Sequence, residues 1–211
     1  MSAASSPAGP GPEAHGLPGI LYELTSILEP LVWDRLFPVA RPVEVELGCG
    51  DGSFLLESAR HRPGHNFLGV ERLLGRIRKV DRKGRRLGLD NLRAVRIEAA
   101  YCLEYLLPAT SVQALHIYFP DPWPKPKHQR HRLVQPGFPG LARRVLLPGG
   151  RVYLRTDDAA YFTQMREVFA VDSGYHEVST PVALAELLTD FEREFLAAGR
   201  AIHRTAYEGS G

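Results

Sequence analysis

Strand-like and helix-like segments alternate along this chain, and that alternation limits the possible fold more than any other feature. Short apolar runs rich in β-branched residues predict strands at 43–47, 66–70, 92–97, 112–119 and 151–155. Helices are predicted at 53–60, 73–87, 141–147 and 159–170, with a helical turn at 101–107. The C-terminal third predicts a strand at 175–179, a helix at 181–198 and a last strand at 201–207. Because strands that alternate with helices form βαβ units, we expect an α/β fold whose parallel sheet is covered on both faces.

Length and composition predict one folded domain. With 211 residues, 44% of them hydrophobic, the chain can bury one core, so residues 20–211 are expected to form a single domain. Residues 1–19 are rich in Ser, Ala, Gly and Pro and are predicted to be a disordered tail. No apolar run approaches the length of a membrane span, so a cytoplasmic protein is expected. Cys49 and Cys102 have neither a disulfide framework nor metal-ligand spacing, and no metal is predicted.

Positive charge is concentrated in two segments, although the net charge is only +2. Between Arg72 and Arg86 there are eight Lys or Arg residues and one acid, Asp81. A second basic cluster comprises Lys125, Lys127, Arg130 and Arg132. A local positive face can bind phosphates without an extreme total charge, whereas a solvated helix surface is the plainer interpretation of each cluster.

A glycine-rich loop lies between the first predicted strand and the first predicted helix. Its glycines, Gly48, Gly50 and Gly52, are spaced as G-x-G-x-G, with Glu46 two residues before the first. Glycines in this position allow the backbone to approach a ligand at a helix N-terminus. The spacing differs from the G-x-G-x-x-G of dinucleotide-binding folds. It resembles the S-adenosylmethionine loop of class I methyltransferases.

Four successive strands are each predicted to end in an acid at the same edge of the sheet. These acids are Glu46, Glu71, Glu98 and Asp121. The carboxyl edge of an open α/β sheet is where ligands bind, and an acid at the end of the second strand can accept both hydroxyls of a ribose. The pattern therefore predicts a site of the methyltransferase type.

The segment 119–132 narrows the function further. It reads Phe-Pro-Asp-Pro-Trp-Pro-Lys-Pro-Lys-His-Gln-Arg-His-Arg, and so combines one acid, one aromatic ring and several cations, which suit a nucleic-acid base as substrate. It resembles the corresponding segment of the tRNA (guanine-N7-)-methyltransferase family of the bacterial TrmB type. Two more segments resemble that family, Thr156-Asp157 and Thr189-Asp190-Phe191-Glu192. Gly199 and Ile202 follow the second segment at a matching interval. The resemblance covers roughly residues 20–208.

The resemblance implies a fold, a reaction and a set of site residues. The fold would be the Rossmann-like three-layer sandwich of class I methyltransferases, mostly parallel with an antiparallel C-terminal strand. The reaction would be methyl transfer from S-adenosyl-L-methionine to N7 of a variable-loop guanine in tRNA, without a metal. Contacts with the cofactor would come from Glu46, Gly48, Gly50, Gly52, Glu71, Glu98 and Asp121, the last also being the active-site residue. Contacts with the tRNA or its target guanine would come from Lys125, Asp157, Thr189, Asp190, Phe191 and Glu192. Family members include monomers, homodimers and eukaryotic forms that act with a separate partner subunit; a monomer or homodimer is expected here, with no obligate partner evident.

The chemistry of guanine N7 bears on the role of Asp121. N7 carries a lone pair and no proton, so its attack on a methyl group needs no general base, and positioning and electrostatics should supply the catalysis. Asp121 is therefore expected to orient the guanine by accepting from its N1–H and N2–H₂ edge, as carboxylates accept from base donors. A role as a base stays open. Trp123 could stack on the base or brace the loop.

Some positions depart from the family pattern, and other functions remain open. Glu98 stands where the family usually has Asp, and Asp190 stands where relatives often have Lys. Asp-Pro-Trp-Pro loosely resembles the Asp/Asn-Pro-Pro-aromatic segment of enzymes that methylate exocyclic base amines. A non-catalytic RNA-binding relative would need a broken glycine loop, and a small-molecule methyltransferase would not need the cations of 72–86.

Overall fold

Eight strands form a single sheet in the computed structural model, which describes residues 19–210. The strands are β1 (Leu21–Tyr22), β2 (Val43–Leu47), β3 (Asn66–Glu71), β4 (Leu92–Arg96), β5 (Val112–Tyr118), β6 (Leu146–Thr156), β7 (Tyr175–Val178) and β8 (His203–Gly209). The helices are α1 (Trp33–Leu36), α2 (Ser53–His61), α3 (Leu74–Arg86), α4 (Ala99–Tyr101), α5 (Phe138–Val145), α6 (Ala159–Ala170), α7 (Val182–Ala185) and α8 (Asp190–Ala197). A π-helical turn, Cys102–Leu106, continues α4, and a 3₁₀ helix spans Pro126–His131.

The sheet has the order β1-β4-β3-β2-β5-β6-β8-β7. Strands β1 to β6 pair in parallel, and β8 pairs antiparallel with both β6 and β7. The predicted mostly parallel sheet with an antiparallel C-terminal strand is confirmed. The chain order reverses at β2, which has β3 on one side and β5 on the other. Open α/β sheets bind ligands at such a switch point, beyond the carboxyl ends of the strands.

The core has two parts, one on each face of the sheet. Val43, Val45 and Leu47 of β2 pack into the cluster that includes residues of α5 and α6. On the other face, residues of α2 and α3 such as Phe54 and Ile77 form the second cluster with Phe67, Ala114 and Tyr153 of the strands. The helices on both faces are thereby fixed against the strands whose carboxyl ends form the candidate site.

Two predicted helices differ from the structure. The helix predicted at 141–147 spans Phe138–Val145, and residues 146–150 extend β6. Leu146 pairs with Val112, so sheet pairing overrides the helical pattern there. The helix predicted at 181–198 is two helices, α7 and α8, because Thr189 caps the start of α8.

The remaining predictions concern the N-terminal tail, membrane spans and metal sites. Most of the predicted tail at 1–19 lies outside residues 19–210. Strand β1 and helix α1 were not predicted from the sequence. Within residues 19–210, no helix is long and apolar enough to cross a membrane. The same residues contain no group of three or more His, Cys, Asp or Glu placed to hold a metal ion.

Candidate active site

The glycine loop turns sharply between β2 and α2. The backbone N–H groups of Gly48 and Cys49 both donate to the carbonyl of Val70, at 2.9 Å each. Gly52 has φ +76°, and a Cβ there would come within 2.8 Å of Val80 on α3. Gly48, at φ +85°, has no atom within 4 Å of the place a Cβ would take. The loop therefore needs glycine for its conformation and its packing, and it leaves open space beside the backbone.

Glu71 joins the end of β3 to this loop. Its side chain is buried and accepts hydrogen bonds from the N–H of Gly50 at 3.1 Å and of Leu73 at 2.8 Å. A carboxylate has about four acceptor positions, so two backbone bonds leave capacity for a ligand. The structure thus brings Glu71 and the glycine loop together, as the sequence predicted for one side of a ligand site.

Glu46 is a buried carboxyl group immediately before the loop. It is 3% exposed, and its Oε2 atom has no hydrogen-bond partner among the described residues. Burial raises the pKa of Glu46 well above its usual range, while the positive charge of Arg155 opposes this rise and the charge of Glu71 adds to it. An unsatisfied buried oxygen is costly unless it meets a donor. Glu46 therefore fits a site in which a ligand or water supplies that donor.

Glu98 is engaged at the start of α4. Its two carboxylate oxygens accept from the N–H groups of Ala100 at 3.0 Å and Tyr101 at 2.8 Å, so it is the N-cap of the helix. The group is exposed. It lies after β4, next to β3 in the sheet, which is the predicted edge.

The Phe-Pro-Asp-Pro-Trp segment begins and ends with a residue whose backbone has an unusual conformation. Phe119 has φ +52° and Trp123 has φ +42°, both in the left-handed region that costs non-glycine residues energy. The N–H of Phe119 donates to the carbonyl of Arg155 on β6 at 2.8 Å. Asp121, between them, has a 72% exposed side chain and lies 3.9 Å from Arg72. The segment thus projects a carboxylate into solvent at the carboxyl edge.

Trp123 packs inside its own loop. Its ring lies edge-on to His128, with centroids 5.9 Å apart, and tilted against His131 at 5.3 Å. Of the two roles considered for Trp123, the structure shows the bracing contact.

The basic continuation divides into exposed and internal cations. Lys125, Lys127 and Arg130 are exposed. Arg132 is 4% exposed, donates to the carbonyl of Pro122 at 2.7 Å and to Gln164 at 2.6 Å, and lies over the Tyr161 ring. Arg132 therefore anchors the loop and is not one of its exposed cations. A buried side chain is not accessible to the phosphates of a polynucleotide.

A buried ionic network fixes the start of α8. Thr189 and Glu192 form a capping box, and Glu192 is fully buried. Its carboxylate accepts from Arg155 at 2.8 Å and from Arg204 at 2.5 and 3.0 Å. Arg155 also donates to the carbonyls of Leu184 at 2.6 Å and Leu187 at 2.8 Å. The network therefore fastens the segment around α7 and α8 to the ends of β6 and β8.

The exposed part of the same segment lies beside the glycine loop. The N–H of Asp190 donates to Ser53 Oγ at 3.0 Å, which ties α8 to the start of α2. A Cβ on Gly50 would lie 3.9 Å from the Phe191 ring, and the Arg76 guanidinium lies 5.7 Å from the centroid of that ring. Phe191 is 40% exposed. Asp190 and Phe191 are thus placed at the site, whereas Thr189 and Glu192 lie inside the fold.

The remaining predicted residues are farther along the edge. Asp157, after β6, forms a salt bridge with Arg200, whose guanidinium lies 4.3 Å from the Phe195 ring centroid. The rings of Phe195 and Phe119 pack edge to face, with centroids 5.4 Å apart. These contacts connect Asp157 to the segment that carries Asp121. Lys125 lies in the exposed loop, and its side chain makes no ion pair with any described residue.

Sequence reasoning missed the two arginines of the network. Arg155 lies in an otherwise apolar stretch of strand directly before Thr156-Asp157, and Arg204 lies in the last strand. A charged residue in a buried strand needs a partner, so Arg155 was a readable signal. Which carboxylate it meets depends on the fold.

Solved structures with a similar fold are methyltransferases. A 16S rRNA methyltransferase, KamB, has a TM-score of 0.60 at 18% identity, covering 85% of this chain and 93% of that one. TrmN from Thermus thermophilus has a TM-score of 0.56 at 19% identity, covering 83% of this chain and 46% of that one. At these identities the likeness establishes the fold, which is the predicted class I methyltransferase sandwich.

Sequence relatives define the family more narrowly. A family profile described as a putative methyltransferase matches residues 40–205. A tRNA (guanine-N(7)-)-methyltransferase of Halorhodospira halophila is 35% identical over 179 residues, covering 82% of this chain and 78% of the relative. One of Geobacter metallireducens is 34% identical over 183 residues, covering 84% of this chain and 87% of the relative. With its glycine loop, its acids at the carboxyl edge and the Pro-Asp-Pro-Trp-Pro-Lys segment, the chain belongs to the tRNA (guanine-N(7)-)-methyltransferase family.

Proposed function

We propose that this protein transfers a methyl group from S-adenosyl-L-methionine to N7 of a guanine in tRNA, in the variable loop. The observation that carries this proposal is the meeting of two halves at one sheet edge. The glycine loop with Glu71 forms one half, and the Pro-Asp-Pro-Trp segment forms the other. Arg72 links them, because it directly follows Glu71 and lies 3.9 Å from Asp121.

The residues of the first half fit S-adenosylmethionine. Glu71 has acceptor capacity for ribose hydroxyls, and Glu46 has an unsatisfied oxygen beside the loop. Gly48, Gly50 and Gly52 give the backbone access to the ligand, and Glu98 lies on the strand end next to Glu71. When bound, S-adenosylmethionine supplies an electrophilic methyl group on a sulfonium. The proposed site requires no metal.

The residues of the second half would hold and orient the base. Asp121 is exposed, conformationally restrained by its two flanking prolines, and able to accept from the N1–H and N2–H₂ groups of guanine. Because N7 has no proton to lose, orientation and charge suffice. The methylated base carries a positive charge, which the carboxylates of Asp121 and Asp157 would stabilise. Trp123 would brace this loop.

Direct tRNA contacts are proposed for Lys125, Asp157, Asp190 and Phe191, the members of the predicted set that are not buried; of these, the Asp157 side chain is only 13% exposed. Thr189 and Glu192 were also predicted to contact the substrate, and that contact stays a prediction. Their burial favours a positioning role, in which they hold Asp190 and Phe191 beside Gly50. We further propose that residues 20–211 form one domain, which acts in the cytoplasm as a monomer or homodimer.

The experiment that tests this function combines methyl transfer with mapping of the product. The protein is incubated with labelled S-adenosylmethionine and tRNA that lacks N7-methylguanosine, and the product is cleaved chemically at N7-methylguanosine. Label that maps to one variable-loop guanine is the expected result. Label on an exocyclic amine would favour the base-amine methyltransferase, and absence of label in tRNA would contradict the proposal.

A further inference from the structure

A row of cations lies along one side of α3. It consists of Arg76, Lys79, Lys83 and Arg86, and Arg72 precedes it at the same spacing. Spacings of four, three, four and three residues place side chains on one face of a helix. We call these five residues the cationic row. Arg76 and Arg86 are almost three turns apart, so the helical part is about 15 Å long.

The row begins at the candidate active site. Arg72 lies 3.9 Å from Asp121, and Arg76 lies over the Phe191 ring beside Gly50. Lys79 comes next and pairs with Asp51 of the glycine loop at 2.9 Å. The first three cations therefore follow the rim of the site itself.

The row ends in a pocket whose lining includes only one of the predicted site residues, Asp190. The pocket has a volume of about 310 Å³ and lies between α2, the C-terminal part of α3 and the first turn of α8. Its lining includes four cations, Arg60, Lys83, Arg86 and Arg193, and two acids, Glu57 and Asp190. The acids pair with Arg60 at 3.9 Å and Arg193 at 2.7 Å. Within the described residues Lys83 and Arg86 have no such partner, so the pocket keeps a net positive charge.

We propose that the cationic row and this pocket bind successive backbone phosphates of the tRNA on one side of the target guanine. A linear array about 15 Å long matches several phosphates of one strand, whereas a lone anion would need only the pocket. Cations that contact phosphates position a nucleic acid without reading its sequence. The row thus gives the RNA a direction, from Asp121 along α3 towards α8. This inference rests on the proposed function.

The same helix supplies a matched control. Arg78 and Arg82 are exposed and, within the described residues, form no salt bridge. Neither lines the pocket, and at about 100° per residue Arg78 and Arg82 lie about 140° and about 100° around the helix from Lys83. The double variants Lys83→Ala/Arg86→Ala and Arg78→Ala/Arg82→Ala remove the same charge from the same helix.

The test measures tRNA binding directly, without methyl transfer, across a range of salt concentrations. The Lys83/Arg86 variant should bind about tenfold more weakly, and its salt slope should fall by about 0.7 to 0.9 for each phosphate that it no longer neutralises. The Arg78/Arg82 variant should stay close to wild type. Thermal midpoints of both variants exclude unfolding as the cause.

Three outcomes would overturn the proposal or its basis. If both variants lose tRNA affinity equally while the wild type methylates tRNA, the positive charge of α3 acts as a whole. That result would refute the cationic row and leave the proposed function standing. Stabilisation of the wild type by inorganic phosphate, with unchanged tRNA slopes in the Lys83/Arg86 variant, would assign the pocket to a free anion. Failure of the wild type to methylate tRNA would refute the proposed function instead.

Discussion

Two acidic residues of β2, Glu44 and Glu46, show that a charged side chain in a strand can be buried. Glu46 and Glu44 alternate with valines in β2, a pattern typical of a strand with one solvated face. Both are buried because β2 lies inside the sheet, between β3 and β5, with packed residues on both faces. His116 and Arg62 bond to Glu44, whereas the positive charge of Arg155 favours the ionised form of Glu46. Sequence predicted the strand to the residue, but it could not predict the burial, which depends on pairing across the sheet.

Asp121 supplies the prediction at the residue scale. Asp121→Ala should lower kcat/KM for tRNA by about 10- to 100-fold, the value of a good base contact, while calorimetry shows S-adenosylmethionine binding largely intact. Asp121→Asn should recover part of the loss, because the amide oxygen still accepts.

The exposed carboxylate Asp34 on α1 is the matched control, and Asp34→Ala should leave both parameters unchanged. An Asn variant as inactive as the Ala variant would contradict the orienting role, because the amide oxygen can accept a hydrogen bond but cannot take up a proton.

At the scale of elements, the break between α7 and α8 has a signal in the sequence. Thr189 and Glu192 have the Thr-x-x-Glu spacing of a capping box, which marks the start of a helix. The helical pattern on both sides concealed it. The extension of β6 into 146–150 had no such local signal, because it comes from pairing with β5.

The Arg155–Glu192–Arg204 network supplies the prediction for these elements. Arg155→Met should lower the free energy of unfolding by about 3 kcal/mol, because removing one partner of a buried ion pair leaves the remaining charges poorly compensated. It should also weaken S-adenosylmethionine binding, since α8 holds Phe191 beside Gly50. Urea unfolding and calorimetry measure the two effects.

Arg143→Ala provides the comparison, because Arg143 pairs with Asp172 at the surface, at 2.8 and 2.9 Å. That change should cost under about 1 kcal/mol and leave ligand binding intact. Similar losses for the two variants would mean that the buried network does not fasten α8.

At the scale of the whole molecule, a series of buried hydrogen bonds connects side chains of the neighbouring strands β2 and β5. His116 bonds to Glu44 at 2.9 Å and to Tyr118 at 2.8 Å, and the Tyr118 ring lies 4.2 Å from the Arg155 guanidinium. An ionised Glu44 only accepts, so His116 Nε2 donates to it and Nδ1 accepts from the Tyr118 hydroxyl. The core is thus connected to the network at the active edge.

The hydrogen bonds between Glu44, His116 and Tyr118 predict how the free energy of unfolding depends on pH. Burial lowers the pKa of His116 below 6.5, although Glu44 opposes the shift. Burial acts to raise the pKa of Glu44, but the bonds and charges of His116 and Arg62 outweigh it and lower the pKa to about 2. Below pH 6.5 the unfolded state binds a proton at His116 that the folded state does not, and below 4.5 the same holds for Glu44.

The free energy of unfolding should therefore fall as the pH drops below 6.5 and fall further below 4.5. Urea unfolding at a series of pH values measures this. His116→Gln should flatten the upper part of the curve, whereas His61→Gln, at an exposed position, should leave it unchanged. A wild-type stability that is constant across this range would contradict the assignment.

The central claim is that the methyl acceptor is N7 of a tRNA guanine. The most direct test compares two versions of the tRNA that differ at one atom of the mapped guanosine, with 7-deazaguanosine replacing it in one version. That base lacks the N7 lone pair but keeps the N1–H and N2–H₂ edge that Asp121 is proposed to hold. We predict normal binding of both tRNAs and methyl transfer to the guanosine version alone. Equal transfer to the 7-deaza version would contradict the account.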